Sequence, residues 1–286
     1  MEIGVVIPAD EDTEAPEITC PAPIVVSNDP GFCAATITAL PAATATDNCA
    51  TFEGAEVLVL WDRLTDEGTC SLISSLRNAG FAVTLSDVPE NEWDGTNPSP
   101  SGFDAVIHLN CITWFQAMPV SGQNALVDYV YSEGGTFIGS EWTAYDIAVN
   151  IGYGSMTDLV LLDYNGFSYG ERTYTTVAGQ ENHPLLTNVS STFGINRSGY
   201  NVGGVKTFAT NPVQTLMTSA SGAAVALREL DNGGKIVNMQ HSGSEGSFFG
   251  TSSVLEDNNI QQLYINGVDF HDGEVGNTAG GQTTIT

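Results

Sequence analysis

The chain has 286 residues and sets 34 acidic side chains against 7 basic ones, a formal net charge of -27. Phosphate backbones and anionic membranes repel such a surface, which excludes nucleic-acid binding and electrostatic attachment to lipid. Hydrophobic residues make up 42% of the chain, enough for one large or two modest domains with real cores. No run of about 18 apolar residues is present to span a bilayer, and Met1–Asp10 has neither the basic nor the apolar region of a signal peptide.

Residues 1–15 are acidic, with Asp10-Glu11-Asp12-Thr13-Glu14 before Ala15-Pro16. The segment reads as a linker or an assembly strand, its apolar stretch being Ile3–Ile7. Asp10, Asp12 and Glu14, with Asp47 further on, are oxygen ligands of the kind Ca²⁺ takes. Their spacing is not that of an EF-hand loop, and a solvated acidic linker is the alternative.

Residues 16–53 are β-rich and punctuated by proline. Ile24-Val25-Val26 predicts one strand, Asn28-Asp29-Pro30-Gly31 a turn, and Ala34–Leu40 a second strand. Three of the five cysteines, Cys20, Cys33 and Cys49, fall here; Cys70 and Cys111 follow. No Cys-x-x-Cys pair exists, which argues against zinc, and the odd count leaves one thiol unpaired or bonded outside the chain.

At Gly54 the pattern changes. Glu56–Trp61 is a continuous apolar run, as in a strand buried on both faces. Leu72, Ile73, Leu76 and Ala79 define a helix closed by Gly80. Phe81–Leu85 is the next strand, Pro89–Gly102 a long loop, and Phe103–Leu109 the third strand. Ala125, Leu126, Tyr129 and Val130 predict a helix over Gln123–Ser132 ended by Gly134-Gly135, the second glycine taking a positive φ. Thr136–Gly139 is a short buried strand and Ser140–Thr143 the turn after it. This order predicts a flavodoxin-like α/β fold, a doubly wound parallel sheet over residues 54–271, in which binding or chemistry sits beyond the carboxyl ends of the strands.

Asn150–Thr210, rich in Gly, Tyr, Asn and Thr, reads as hairpins and long loops. Ala223–Glu229 and Lys235–Met239 are strands around the Asp231–Gly234 turn, and Asn259–Asn266 is a final helix. Residues 272–286 end in Gly281-Gln282-Thr283-Thr284-Ile285-Thr286 and read as a late strand.

Two resemblances attach to these pieces. Ile18-Thr19-Cys20-Pro21, Ile24 to Cys33 and Ala45-Thr46-Asp47-Asn48-Cys49 are similar to the opening half of a hyalin-repeat (HYR) domain, and the Gly281–Thr286 run to its late strand. That family implies a small all-β, immunoglobulin-like sandwich of extracellular proteins, here formed from the N- and C-terminal segments around an inserted α/β domain. Residues 54–271 resemble the class I glutamine amidotransferase-like superfamily, and its ThuA-like branch most. The carriers are the opening strand and helix, Ala125–Val130 before Gly-Gly, His183-Pro184, Gly233–Val237 leading to His241, and Asn259–Leu263.

The second resemblance implies a catalytic cysteine on the turn after the Thr136–Gly139 strand. Glu141 stands there instead, beside Ser140, and a carboxylate is a poor substitute for a thiolate. The implied His-x-Glu is also broken: after Gln240-His241 the next acid is Glu245. His241 is expected to face Glu141 across the carboxyl edge. Cys111, ending the third strand, is a displaced-nucleophile candidate, but a Cys70–Cys111 disulfide at the same edge is the preferred reading, leaving Cys20, Cys33 and Cys49 for the sandwich.

The sequence thus predicts a non-catalytic extracellular or cell-surface structural or adhesion module, a filament subunit if β-strand complementation by neighbouring chains assembles it. The alternative is a secreted hydrolase or carbohydrate-processing or -binding protein with a Glu141/His241 site. Ca²⁺ is the one cofactor suggested; self-association, neighbouring surface domains and a glycan are the expected partners.

Overall fold

The computed structural model describes residues 17–19, 44–46, 54–201, 203–242 and 253–272. The chain divides into two compact units, Met1–Glu53 and Gly54–Thr286. In the first, strands β1 (Glu17–Thr19) and β2 (Thr44–Thr46) pair antiparallel, Ile18 opposite Ala45. The strands expected at Ile24–Val26 and Ala34–Leu40, Cys20, Cys33, Cys49, the Asp10, Asp12, Glu14 and Asp47 carboxylates, Glu245 and the tail strand lie outside the described residues.

The second unit is built on a nine-stranded mixed sheet. Its parallel half consists of β3 (Glu56–Leu60), β4 (Ala82–Leu85), β5 (Ala105–His108), β6 (Thr136–Ser140) and β11 (Lys235–Met239). Its antiparallel half adds β7 (Phe167–Thr176), β8 (Thr192–Asn201), β9 (Gln214–Ser219) and β10 (Gly222–Glu229). The order across the sheet is β4-β3-β5-β6-β11-β10-β9-β7-β8. The helices are α1 (Glu67–Asn78), α2 (Val120–Tyr131), α3 (Trp142–Ala148) and α4 (Asn258–Asp269). This is the expected flavodoxin-like arrangement, extended at one edge by hairpins.

Period-two alternation along β3 explains the layering. Val57 and Val59 point to the layer holding Leu72, Leu76, Leu263 and Tyr264 of α1 and α4. Leu58 and Leu60 point to the opposite layer, with Leu126 and Tyr129 of α2, Phe137, and Tyr153 and Met156 of the segment after α3. A strand apolar on both faces is what a sheet covered on both sides requires.

The helices start where their caps dictate. Asp66 accepts the Thr69 N–H at 2.9 Å at the head of α1, and Asp257 accepts the N–H groups of Asn259 and Ile260 at 2.8 and 3.1 Å at the head of α4. Each such cap is worth about 1 kcal/mol.

Two local expectations are corrected. Of the glycine pair after α2, the first, Gly134, takes the positive φ of 81°. Gly135 is needed for a different reason: a Cβ there would lie 2.1 Å from the Tyr129 ring, whose hydroxyl is tied to the Phe103 carbonyl at 2.9 Å. The turn expected over Ser140–Thr143 is instead the start of α3, with Glu141 in its N-cap position.

Candidate functional site

Strands β3, β5, β6 and β11 run parallel, so the residues following them meet at one edge: Asp62 after β3, Asn110 and Cys111 after β5, Glu141 after β6, and Gln240, His241 and Ser242 after β11. All of these are buried. Hydrogen bonds tie the loops together. Glu90, in the loop after β4, donates its N–H to the Trp61 carbonyl at 2.7 Å, and Ile112 donates its N–H to the Asp62 carboxylate at 2.8 Å.

Glu141 and His241 do come together, through the backbone. The Glu141 N–H donates to the His241 carbonyl at 3.3 Å. Glu141 is 1% exposed, and its backbone, φ -78° and ψ -21°, is ordinary right-handed helix. A nucleophile elbow holds its residue on a strained, exposed turn, and Glu141 has neither property. The His241 imidazole is 0% exposed and lies toward α4, its Nε2 3.1 Å from the Tyr264 hydroxyl. Burial pushes its pKa down to about 3, so it is neutral at physiological pH. Burial also raises the Tyr264 hydroxyl well above its ordinary value, helped by the nearby Asp62 charge.

The thiols expected to pair do not. Cys70 and Cys111 are not bonded to each other. Cys70 is exposed on the first turns of α1, with its Sγ donating to the Leu64 carbonyl at 3.3 Å, whereas Cys111 is buried.

On the other face of the same edge lies a cluster that sequence reasoning missed. The Glu90 carboxylate, fully buried, takes the His108 Nε2 at 3.0 Å and the Tyr153 hydroxyl at 2.6 Å on one oxygen, and the Thr113 hydroxyl on the other. Tyr153 adopts a left-handed φ of 62° to reach it, a conformation costly for a bulky residue and typical of sites the surroundings over-determine. Beside it, Asn110 Nδ2 donates to the Asp146 carboxylate at 2.8 Å. Burial, and secondarily the Glu90 charge, push Asp146 up to about 8 against the lowering effect of the Asn110 hydrogen bond. Among the described residues, His108 Nδ1, Asn110 Oδ1, Thr143 Oγ1 and Asp146 Oδ1 are buried without a hydrogen-bond partner.

This cluster had one signal in the sequence. Trp142–Ala148 is an otherwise apolar segment interrupted by Asp146, and an acid there on a strand-following helix must be buried with its partners. Glu90, in a long loop, carried no such signal.

Of the chain's four tryptophans, Trp93 is buried and bonds the Pro98 carbonyl at 3.1 Å, and Trp61 bonds the Ser86 carbonyl at 2.7 Å. Trp114 and Trp142 join Tyr145 in a packed aromatic group, with ring centroids 5.1 to 6.1 Å apart. Among the described residues no group of three or more His, Cys, Asp or Glu side chains is arranged to hold a metal ion, and no helix is long and apolar enough to cross a membrane.

No family model matches the chain, and no curated protein matches it either. Solved structures do. A ThuA-like protein from Bacteroides uniformis ATCC 8492 superposes with a TM-score of 0.51 at 12% identity, over 79% of this chain and 95% of its own. A ThuA-like protein from Parabacteroides merdae ATCC 43184 gives a TM-score of 0.51 at 11% identity, over 78% and 92%. At these identities the likeness is one of fold: the chain shares the α/β architecture of the ThuA-like proteins, as the pattern of residues 54–271 implied.

Proposed function

We propose that this chain is a non-catalytic structural or adhesion module of an extracellular or cell-surface protein. The observation that carries the reading is the state of Glu141, between β6 and α3. Glu141, which the resemblance sets in the nucleophile position, is a carboxylate, is 1% exposed and has an unstrained backbone, while His241 is neutral and bonded to Tyr264. An acidic surface with few basic residues suits a salty or calcium-rich exterior. The hyalin-repeat resemblance of residues 16–53 and 272–286 supports the same location and an immunoglobulin-like companion domain. Ca²⁺ on Asp10, Asp12, Glu14 and Asp47, and main-chain pairing of terminal strands with a neighbouring chain, would build an assembly.

Light scattering of the purified protein with and without Ca²⁺, followed by negative-stain imaging, tests the assembly. Ordered polymers are expected, and a stable monomer in both conditions overturns that part. Turnover of an ester, amide or glycoside that disappears in Glu141→Ala overturns the non-catalytic part.

The competing reading is a secreted hydrolase or carbohydrate-processing protein. One observation favours it: a carboxyl pushed up to about 8 at the carboxyl edge, as in Asp146, is how general acids are tuned. Asp146 is 0% exposed and already bonded to Asn110, which leaves it a smaller claim than the buried Glu141 N-cap.

A further inference from the structure

The large hydrophobic side chains exposed among the described residues are Leu64, Trp114, Phe115, Val120 and Val149. Their placement is not random. Leu64 is in the loop after β3, Trp114 and Phe115 are in the loop after β5, and Val120 opens α2, which leaves that same edge. Val149 closes the short helix α3 that follows β6. Exposed apolar surface gathered on one edge marks an interaction site, whereas single scattered residues would need no explanation.

The two aromatic residues among them are 39% exposed for Trp114 and 54% for Phe115. Trp114 is pre-ordered: its ring packs against Trp142 at 6.1 Å and Tyr145 at 5.7 Å, and Tyr145 leans in turn on Tyr164 at 5.4 Å. Phe115 meets Trp114 edge-on at 5.6 Å. Rings held in place lose little freedom on binding, which is why Trp and Tyr dominate interface hot spots.

Charge selects the occupant. The adjoining loop after β4 carries exposed Asp87, Glu92 and Asp94. Hydrogen bonds from the Thr96 side chain and backbone hold the Asp94 carboxyl below its ordinary pKa. That loop is bound to the aromatic one by Asn91 Nδ2 donating to Gln116 Oε1 at 3.1 Å and by Thr113 bonding Glu90. Residues 61–66, 86–104, 109–119 and 141–166 contribute one basic side chain, Arg63, and Lys206 reaches the last of these segments by donating to the Thr157 carbonyl at 3.0 Å. A second copy of the chain, bearing the same net charge of -27, is repelled from this face.

We infer that the carboxyl-edge surface centred on Trp114 and Phe115 docks a basic protein segment, whose arginine or lysine groups lie over the two rings and against the Asp87, Glu92 and Asp94 carboxylates. Cation–aromatic attraction is strongest on Trp and favours Arg. The surrounding acids steer the encounter and make it salt-sensitive. The inference rests on the module reading above and names the partner's chemistry.

The test uses a fluorescein-labelled Arg/Gly/Ser peptide, with the same peptide carrying Glu for Arg as its control, titrated by anisotropy into the full chain. Saturable one-to-one binding that weakens with salt is expected. Trp114→Ala/Phe115→Ala should weaken it at least tenfold, and Trp114→Phe should retain most of it. Asp87→Asn/Glu92→Gln should weaken it more than Asp128→Asn/Glu133→Gln, which removes the same number of exposed acids toward the far end of α2. Unchanged affinity in the aromatic double variant, or equal losses in both charge variants, would mean diffuse attraction and overturn the inference. So would Trp114-dependent binding of a neutral oligosaccharide without binding of the peptide, or Trp114-dependent self-association. Those outcomes leave the non-catalytic reading standing; only Glu141-dependent turnover removes it.

Discussion

The His241 imidazole and the Tyr264 hydroxyl lie 3.1 Å apart in the layer between β11 and α4, both fully buried. That pairing decides how the carboxyl edge can be used. A histidine bonded there and kept neutral by burial is a packing element with a polar tip. Tyr264→Phe removes the hydroxyl and takes from the ring its partner at Nε2. The expected cost is about 1–3 kcal/mol in urea unfolding, with no change in any binding at the Trp114 surface.

The same histidine sets an acid limit. Its pKa is about 3 in the folded chain against 6.5 for the free side chain. A depressed pKa contributes stability that is complete above about pH 6.5 and is lost as pH falls toward 3, because the unfolded chain takes up the proton first. His241→Gln should lower stability at pH 7 and flatten the decline between pH 6.5 and 3. Thermal unfolding at several pH values for both proteins checks this; parallel curves would contradict it.

Asp146 carries the opposite sign. Its pKa is raised from 3.8 to about 8, so the folded state holds a proton that the unfolded state has released. Its contribution is fully present below about pH 3.8 and is lost as pH rises toward 8. Asp146→Asn keeps the shape and removes the charge, and its Oδ1 can still accept from Asn110. The variant should gain on the wild type as pH climbs from 4 to 8, read as a widening difference in Tm.

Tyr153→Phe deletes one of the three donors on the buried Glu90 carboxylate while keeping the left-handed backbone at that position. A cost of about 1–3 kcal/mol is expected, measured by denaturant unfolding. Gly135→Ala should cost more than an ordinary surface glycine substitution, because the new Cβ would meet the Tyr129 ring at 2.1 Å and Tyr129 is anchored to Phe103. Gly154→Ala, with open space at that position, is its control.

Much of the α/β unit was legible before any coordinates. The apolar run Glu56–Leu60 and the strands at Thr136 and Lys235 are buried on both faces, so their signal is continuous and strong. The helices of α1, α2 and α4 announce themselves by 3.6-residue spacing, although α2 begins three residues before the expected Gln123. The β7–β8 hairpin was anticipated as a class and not in register, and β9, Gln214–Ser219, was not expected as a strand, since frequent glycines and one covered face leave weak alternation.

At the site, Glu141 and His241 were placed at the correct edge, but the direction of the His241 ring is set by Tyr264 of α4, and strand patterns do not encode that. The Glu90–His108–Tyr153 cluster joins residues from three separate segments, up to 63 positions apart. No local pattern links them. The Cys70–Cys111 pairing followed from both lying near one edge and missed that Cys70 is exposed on α1 while Cys111 is buried.

The measurement that bears most directly on the account is the NMR pH titration of the four histidine side chains, His108, His183, His241 and His271, with His241→Gln to assign the resonance. A non-catalytic edge predicts that His241 does not titrate between pH 5 and 8 and is unmoved by Glu141→Gln. A His241 that protonates near neutral pH, with a midpoint that falls when Glu141 loses its charge, would reveal a working acid–base pair and contradict the account.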